Sequence, residues 1–449
     1  MQDSPLIVHS PRFSPIWLLY NTLFPLVFAC LMPKFLLRMR KRGGYAADFA
    51  QRFGCYRPEV AALLDAPGRP VWIQAVSVGE LAVALTYMDA ARRRHPDLRF
   101  VVTTNTSTAH AIAIQKVRPP DVVLYFPVDL PFVIRRVLSR LRPAALVLVE
   151  NEMWPNLIRY AAASGVPVHM INGRISRHSY AGYRKLRFVT RRLLPLMSSF
   201  SMQSTGDAER LADLGAPPDR LRVTGSAKYD LPPTPPEAAA AARAYLDWLH
   251  PARRTVVVGG STWPGEEDIL LDWLVRALPQ HPDTLLVLVP RHAERRAEVL
   301  ASIQARGLPY VQKSVAPLPA PDQPGPPPVA RPAGLLADTT GELRGFYAAA
   351  DIVFVGKSIS ETGGQNPIEP AVDARPILVG PHMENFPAIS EDFQTARAWC
   401  QVPDADALGT ALTHWLEHPG DARETGRRAA ALVASHAGAT DLMVTHSLP

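Results

Sequence analysis

Three carboxylates stand where buried apolar runs give way to polar turns. Residues 71–80 read VWIQAVSVGE. The run 71–76 has the length and β-branched content of an interior strand, and LAVALTYMDAARRR continues from it at helical spacing. Glu80 is therefore predicted at a strand-to-helix turn. Ligands of open α/β sheets bind outside the carboxyl ends of the strands, and a Glu there can serve as general base. A Glu in a first helical turn also complements the helix dipole, worth less than about 1 kcal/mol. Residues 145–156, ALVLVENEMWPN, end a second apolar run in Glu150-Asn151-Glu152 and bring two more carboxylates to the same edge. Paired carboxylates raise one another's pKa, or one orients a catalytic partner. Tying down its own loop is the other use open to Glu150.

A second set of residues is suited to a phosphate. Residues 255–265, TVVVGGSTWPG, lead into a helix beginning near Glu266, so the N–H groups around Gly260 and Ser261 can approach an anion. Any tight turn favours Gly and Ser as well. The next apolar run, VLVPRH, ends at Pro290, Arg291 and His292. A guanidinium there fits a phosphate, or makes surface contacts at a helix entry. Residues 361–371, ETGGQNPIEPA, follow the strand DIVFV. Gly363, Gly364 and Asn366 ahead of Pro367 predict a helix capped by Asn with Pro at its first position. Its free N–H groups would favour a phosphate, and Glu369 can accept hydrogen bonds from ribose hydroxyls. A helix start alone needs neither the glycine pair nor that Glu. Residues 172–192 hold Arg174, Arg177, Arg184, Lys185 and three further Arg with no acid. Such a run is a solvated face, or a surface for lipid head groups or a phosphorylated acceptor.

The elements that must position these groups follow from the alternation of patterns. At 449 residues the chain should hold two or three domains. Candidate strands lie at 71–76, 99–104, 122–126, 144–149, 166–171, 200–203 and 222–224, with helical stretches between most of them. This is the pattern of a parallel sheet with helices on both faces. LPPTPP at 231–236 reads as a linker. Beyond it strands recur at 255–260, 284–289, 309–311, 351–355 and 376–379, and 317–332 is too proline-rich for regular structure. The economical architecture is α/β, with two Rossmann-like domains facing a central cleft: 44–230 for the first and 231–449 for the second. Ahead of them, 16–33 carries no charge and is followed by KFLLRMRKR. A span needs about 20 apolar residues, and Asn21 and Pro25 weaken this run. Residues 1–43 are expected to form a membrane anchor, single-pass or deeply interfacial, held on the cytoplasmic side by the basic flank; a buried amphipathic hairpin is the alternative. Three scattered cysteines fit a reducing compartment. The net charge of +7 suggests an anionic partner, and without an RNP motif or zinc finger nucleic acid is not the expected one.

Taken together these segments resemble the 3-deoxy-D-manno-oct-2-ulosonic acid (Kdo) transferases of lipopolysaccharide synthesis. The likeness runs through AVSVGE, TTNTSTA, YFPVDLP, ENEMWPN, INGRIS, GSAKYD, GGSTWPGEE, VPRH, DTTGEL, GGQNPIEPA and GPHMENF. It implies a GT-B fold, a CMP-Kdo donor, a lipid A precursor of the lipid IVA type as acceptor, and attachment to lipids of the inner membrane at its cytoplasmic face. It also implies Glu80 as catalytic base, the Glu150–Glu152 segment as a second acidic site, and CMP held by the C-terminal motifs, Thr340 and Gly341 of DTTGEL included. The chain departs from the family pattern at Trp263 and Gln365, where His is frequent, at Thr340, where Met is common, and at Lys357, where a small residue is usual. The proline-rich loop before Asp338 is also longer than usual. On this reading transfer is a single inverting displacement, with CMP's phosphate held by 363–366, Arg291 and the Gly260–Ser261 turn, and no metal or cofactor is called for. The one DxD, Asp404-Ala405-Asp406, is expected to cap a helix. A cation for the Kdo carboxylate would come from basic residues after Gly173 or from Lys228. Two alternatives stay open: another GT-B enzyme using a UDP-sugar, as a transferase or 2-epimerase, and a catalytically silent membrane-attached homologue.

Overall fold

The computed structural model describes residues 8–11, 13–42, 48–249, 255–319 and 332–448, with side chains of 31–42 outside the description. Most of the proline-rich loop and the side chains of the basic flank thus lie outside the described residues. Two compact units are present: Met1–Asp230 with Gly438–Pro449, and Leu231–Ala437.

The first unit holds seven strands: β1 Val71–Gln74, β2 Phe100–Thr104, β3 Val122–Tyr125, β4 Ala145–Val149, β5 Val168–Gly173, β6 Ser199–Met202 and β7 Leu221–Val223. They form one sheet in the order β3-β2-β1-β4-β5-β6-β7, and the pairings are parallel. Side chains alternate across a strand, so each face builds its own core. Trp72, in register with Val101 and Leu146, belongs to one apolar cluster. Ile73, in register with Val102 and Val147, belongs to the other. The order reverses between β1 and β4. Loops leaving these two neighbours diverge to opposite sides, which opens a crevice at the sheet's carboxyl edge.

The second unit repeats this plan with β8 Thr255–Thr262, β9 Thr284–Pro290, β10 Tyr310–Gln312, β11 Gly334–Leu336, β12 Ile352–Val355, β13 Ile377–Val379 and β14 Cys400–Gln401. The order is β10-β11-β9-β8-β12-β13-β14, again with parallel pairings, and the reversal falls between β8 and β12.

The boundary at 230/231 coincides with the expected linker, but the second domain does not run to 449. The helix Ala439–Ser447 packs into the first unit, with Ala439, Met443 and Val444 in its core. Both oxygens of Asp230 anchor the return, accepting the amides of Gly438 at 2.6 Å and Thr440 at 2.5 Å. Asp404 caps the helix Ala405–Glu417 through the amide of Ala407, as expected of the DxD.

The N-terminal helix Pro15–Arg42 is continuous through Pro25. One side of it is fixed to the first unit. Trp17 is buried beneath the guanidinium of Arg159, Tyr20 donates to Asp129 Oδ2 at 2.8 Å, and Asn21 Oδ1 accepts from Asn156 Nδ2 at 2.8 Å. The polar Asn21 is a docking contact. Leu18, Leu19, Leu23, Leu26 and Val27 are exposed on the rest of the surface. Among the described residues no helix is long and apolar enough to cross a membrane.

Candidate functional site

Glu80 lies in the first turn of the helix Val78–Arg94, which begins right after β1. Ser77 is the cap: its Oγ accepts the Glu80 amide at 3.3 Å and donates to Glu80 Oε1 at 3.0 Å. Glu80 Oε2 accepts the Val76 amide at 2.7 Å. Burial pushes the Glu80 carboxyl up to about 7; the Val76 amide opposes the shift, and the Glu152 and Glu150 carboxylates add to it. The expected meeting of three acids at one sheet edge is thus what the fold produces, and it falls at the reversal between β1 and β4.

Each neighbour is held differently. Glu150 follows β4 with φ +59, a left-handed conformation uncommon outside glycine. Its amide donates to Ile171 O at 2.9 Å, and its Oε1 lies 3.5 Å from Asn172 Nδ2. Glu152 accepts from Trp154 Nε1 at 2.6 Å, and burial raises its carboxyl as well. Asn172, which sequence reasoning left out, is fully buried at φ +53 and ties β5 to this corner: its Oδ1 accepts the Ala227 amide at 3.0 Å, and its carbonyl accepts Gln203 Nε2 at 2.9 Å. A carboxyl poised near neutrality, beside two others that oppose its ionisation, can take a proton from a hydroxyl at physiological pH.

The basic segment forms the helices Arg177–Lys185 and Arg187–Leu193. Arg177, Arg184 and Lys185 are exposed and Arg174 is half-buried, and none of the four makes an ion pair with a described residue. Leu186 and Phe188 are exposed beside them, so the surface is mixed basic and apolar. Arg187 is committed to Asp213 at 2.6 Å.

In the second unit a buried carboxylate ties down the loop after β8. Glu266, fully buried, accepts four amides: Trp263 at 2.9 Å, Lys357 at 2.8 Å, Ser358 at 2.8 Å and Ile359 at 3.1 Å. One carboxylate therefore laces the loop after β8 to the loop after β12, at the reversal of that sheet. Sequence reasoning missed it, although WPGEE puts a Glu where the first unit has Glu80. Gly260 has a packing reason: a Cβ there would lie 2.1 Å from the Tyr347 hydroxyl. Ser261 follows it at φ +53.

The glycine pair has a structural reason too, contrary to expectation. Gly363 and Gly364 have φ +119 and +71, and a Cβ would meet Asn385 Nδ2 at 2.5 Å or Met383 Sδ at 2.4 Å. Their amides donate to Glu384 Oε2 and to the Lys357 carbonyl, at 2.7 and 2.8 Å. The helix after them, Ile368–Ala371, is a single turn of four residues. Asn366 does receive the Ile368 amide at 3.1 Å, but one turn sums too few peptide dipoles to hold an anion by itself.

What remains at this edge is a group of charged side chains. Burial raises the Glu369 carboxyl, opposed by Arg344, by the Asn366 amide 3.5 Å away and by Arg291. Arg291 follows Pro290 at the end of β9, its amide donating to Thr262 O at 3.1 Å, and its side chain is exposed. His292, also exposed, meets the Trp263 ring edge-on at 5.5 Å. Arg344 and Tyr347 both come from the helix Leu343–Ala349 and had no signal in the sequence. Thr340 and Gly341 precede that helix; Thr340 is exposed, and Gly341 has φ +87 in open space. Trp263 and Lys357, two departures from the family pattern, touch each other. Among the described residues no group of three or more His, Cys, Asp or Glu side chains could hold a metal ion.

A family model described as 3-deoxy-D-manno-octulosonic-acid transferase (kdotransferase) matches residues 47–231. The chain is 35% identical over 414 residues to a 3-deoxy-D-manno-octulosonic acid transferase of Bordetella pertussis, covering 90% of this chain and 92% of that one. It is 29% identical over 426 residues to the enzyme of the same description from Haemophilus influenzae, covering 94% and 96%. Among solved structures it is similar in fold to the UDP-GlcNAc 2-epimerase of Neisseria meningitidis bound to UDP-GlcNAc, with a TM-score of 0.52 at 11% identity, covering 82% of this chain and 99% of that one.

Proposed function

The chain belongs to the 3-deoxy-D-manno-octulosonic acid (Kdo) transferase family of glycosyltransferases, and we propose that it moves Kdo from CMP-Kdo to a lipid A precursor of the lipid IVA type, by inversion, with Glu80 as general base. The observation that carries the assignment of the base is the place of Glu80, half-buried in the first helical turn at the reversal of the first sheet, where burial and the Glu152 and Glu150 carboxylates push its carboxyl up. Glu80 takes the proton of the acceptor hydroxyl as that oxygen attacks the anomeric carbon of Kdo. The bond from that carbon to the CMP phosphate oxygen breaks, and CMP leaves with the electron pair. Glu150 and Glu152 keep Glu80 basic by their charge.

The second unit holds CMP. With the amides of Trp263, Lys357, Ser358, Ile359 and Gly363 committed to Glu266 and Glu384, much of the charge of the leaving phosphate falls to side chains, Arg291 and Arg344 first among them, and Glu369 accepts from ribose. A nucleoside monophosphate stabilised this way needs no divalent metal. The exposed apolar side of the N-terminal helix lies in the interface of the inner membrane on its cytoplasmic face, without crossing it. Arg174, Arg177, Arg184 and Lys185, flanked by Leu186 and Phe188, attract anionic head groups and the phosphorylated acceptor.

The test is incubation with CMP-Kdo and a lipid A precursor in excess chelator, read by product mass. The acceptor should gain Kdo under these conditions. No product with CMP-Kdo, or product only when Mg²⁺ is restored, would overturn the donor or the metal-free mechanism respectively. Thermal stabilisation by UDP and not by CMP would instead favour a UDP-sugar enzyme.

A further inference from the structure

Lys357 is held in an unusual place. It follows β12 with φ +60, a region that side-chain-bearing residues rarely occupy. The backbone is pinned on both sides: its amide donates to Glu266 Oε2, and its carbonyl accepts the Gly364 amide, each at 2.8 Å. Its ammonium lies 4.6 Å from the centre of the Trp263 ring, a cation–π distance. Among the described residues it has no carboxylate or hydrogen-bond partner. Trp263 carries an independent sign: its Nε1 is buried with no acceptor among the described residues, and native structures usually satisfy such donors with protein, water or ligand.

Two donors on one pair of side chains, an ammonium over the indole ring and the buried N–H of that ring, each lack an oxygen acceptor among the described residues. They stand at the edge where the amides of Trp263, Lys357, Ser358, Ile359 and Gly363 are taken by Glu266 and Glu384. We propose that Lys357 Nζ and Trp263 Nε1 contact an oxyanion of the sugar-nucleotide donor, its phosphate or its sugar carboxylate, with the indole ring aiming the ammonium. The proposal rests on the reading of the second unit as the donor-binding unit.

Lys357→Gly tests it, because glycine adopts φ +60 without strain. Binding of cytidine and CMP is measured by calorimetry, and the KM for CMP-Kdo by product formation. If the oxyanion is the phosphate, the variant binds cytidine like wild type and CMP about ten- to a hundredfold more weakly. If it is the carboxylate, CMP affinity holds and the KM rises by a similar factor. In either case Lys357→Arg recovers much of the loss, and Trp263→Phe, which keeps a ring and removes the N–H, shows a smaller loss of the same kind. Wild-type CMP affinity and KM in Lys357→Gly would overturn the Lys357 contact and leave the donor-binding unit standing. Wild type that fails to bind CMP would overturn both.

Discussion

Ser77 and Glu80 hold one another at the start of the helix after β1, the hydroxyl donating to Oε1 at 3.0 Å while accepting the Glu80 amide at 3.3 Å. This is close to a capping box, with the Val76 amide at 2.7 Å in place of the cap residue's own N–H. The structural and catalytic uses of Glu80 are thus compatible. Each oxygen has one fixed donor, and a carboxylate offers about four acceptor sites, so capacity remains for a substrate hydroxyl. Position is set by the turn, and basicity by burial and the two neighbouring acids.

Tyr20 fixes the N-terminal helix through a charged acceptor. Tyr20→Phe should cost about 1.5–3 kcal/mol, the range for a hydrogen bond to a charged group, measured by urea denaturation. An unchanged midpoint would mean that the helix is held by other contacts.

Asp129, the acceptor of that bond, gives a pH signature. Burial pushes its carboxyl from 3.8 up to about 6, opposed by the Asn156 amide, Tyr20 and the Leu157 amide. Between those values the folded state binds more protons than the unfolded state, so this group's contribution to stability falls as pH rises through the window and levels off above it. Wild-type stability relative to Asp129→Asn should decline from pH 4 to 6. A flat or rising difference would contradict the assignment.

Glu266→Ala would strand the amides of Trp263, Lys357, Ser358 and Ile359. Unsatisfied buried groups cost about 1–3 kcal/mol each, so a loss of at least about 3 kcal/mol is expected, with faster hydrogen exchange at residues 357–359. Native exchange rates there would show that the lacing between the two loops is dispensable.

Much of this architecture is visible in the chain. Ends of strands can be read from where apolar runs stop, which is why Glu80, Glu150 and Glu152 are legible as one edge from the sequence. β11 and β14 are not: β11 starts two residues past the proline-rich run 317–332, which masks it, and two residues are too few to show a period in β14. The return of the C-terminal helix was invisible for another reason: Asp230 meets Gly438 and Thr440 across 208 and 210 residues, and no local pattern encodes such a pairing. At Gly363 and Gly364 φ and close packing against Asn385 and Met383 demand glycine by themselves, so the glycine pair alone does not mark a phosphate site. Asn21, a flaw in the apolar run by composition, is one of the residues that dock it, with Trp17 and Tyr20.

Glu369→Ala should weaken CMP by about ten- to a hundredfold, the loss of one charged acceptor, and leave Arg344 and Arg291 without their nearby counter-charge. Calorimetry on the folded variant decides it, and unchanged affinity would move the ribose contact elsewhere.

The central claim is that Glu80 accepts the proton, and Glu80→Gln addresses it directly through the pH dependence of turnover. A base must be deprotonated to act, so wild-type kcat/KM should rise with pH through about 7, where the Glu80 carboxyl titrates. In Glu80→Gln, turnover should fall by about 10²–10⁴-fold and that limb should vanish. CMP affinity should hold, and stability should change by less than about 1 kcal/mol, since Gln can still serve the cap. Near-normal turnover with the same pH profile in Glu80→Gln would contradict the account and leave Glu80 a helix cap.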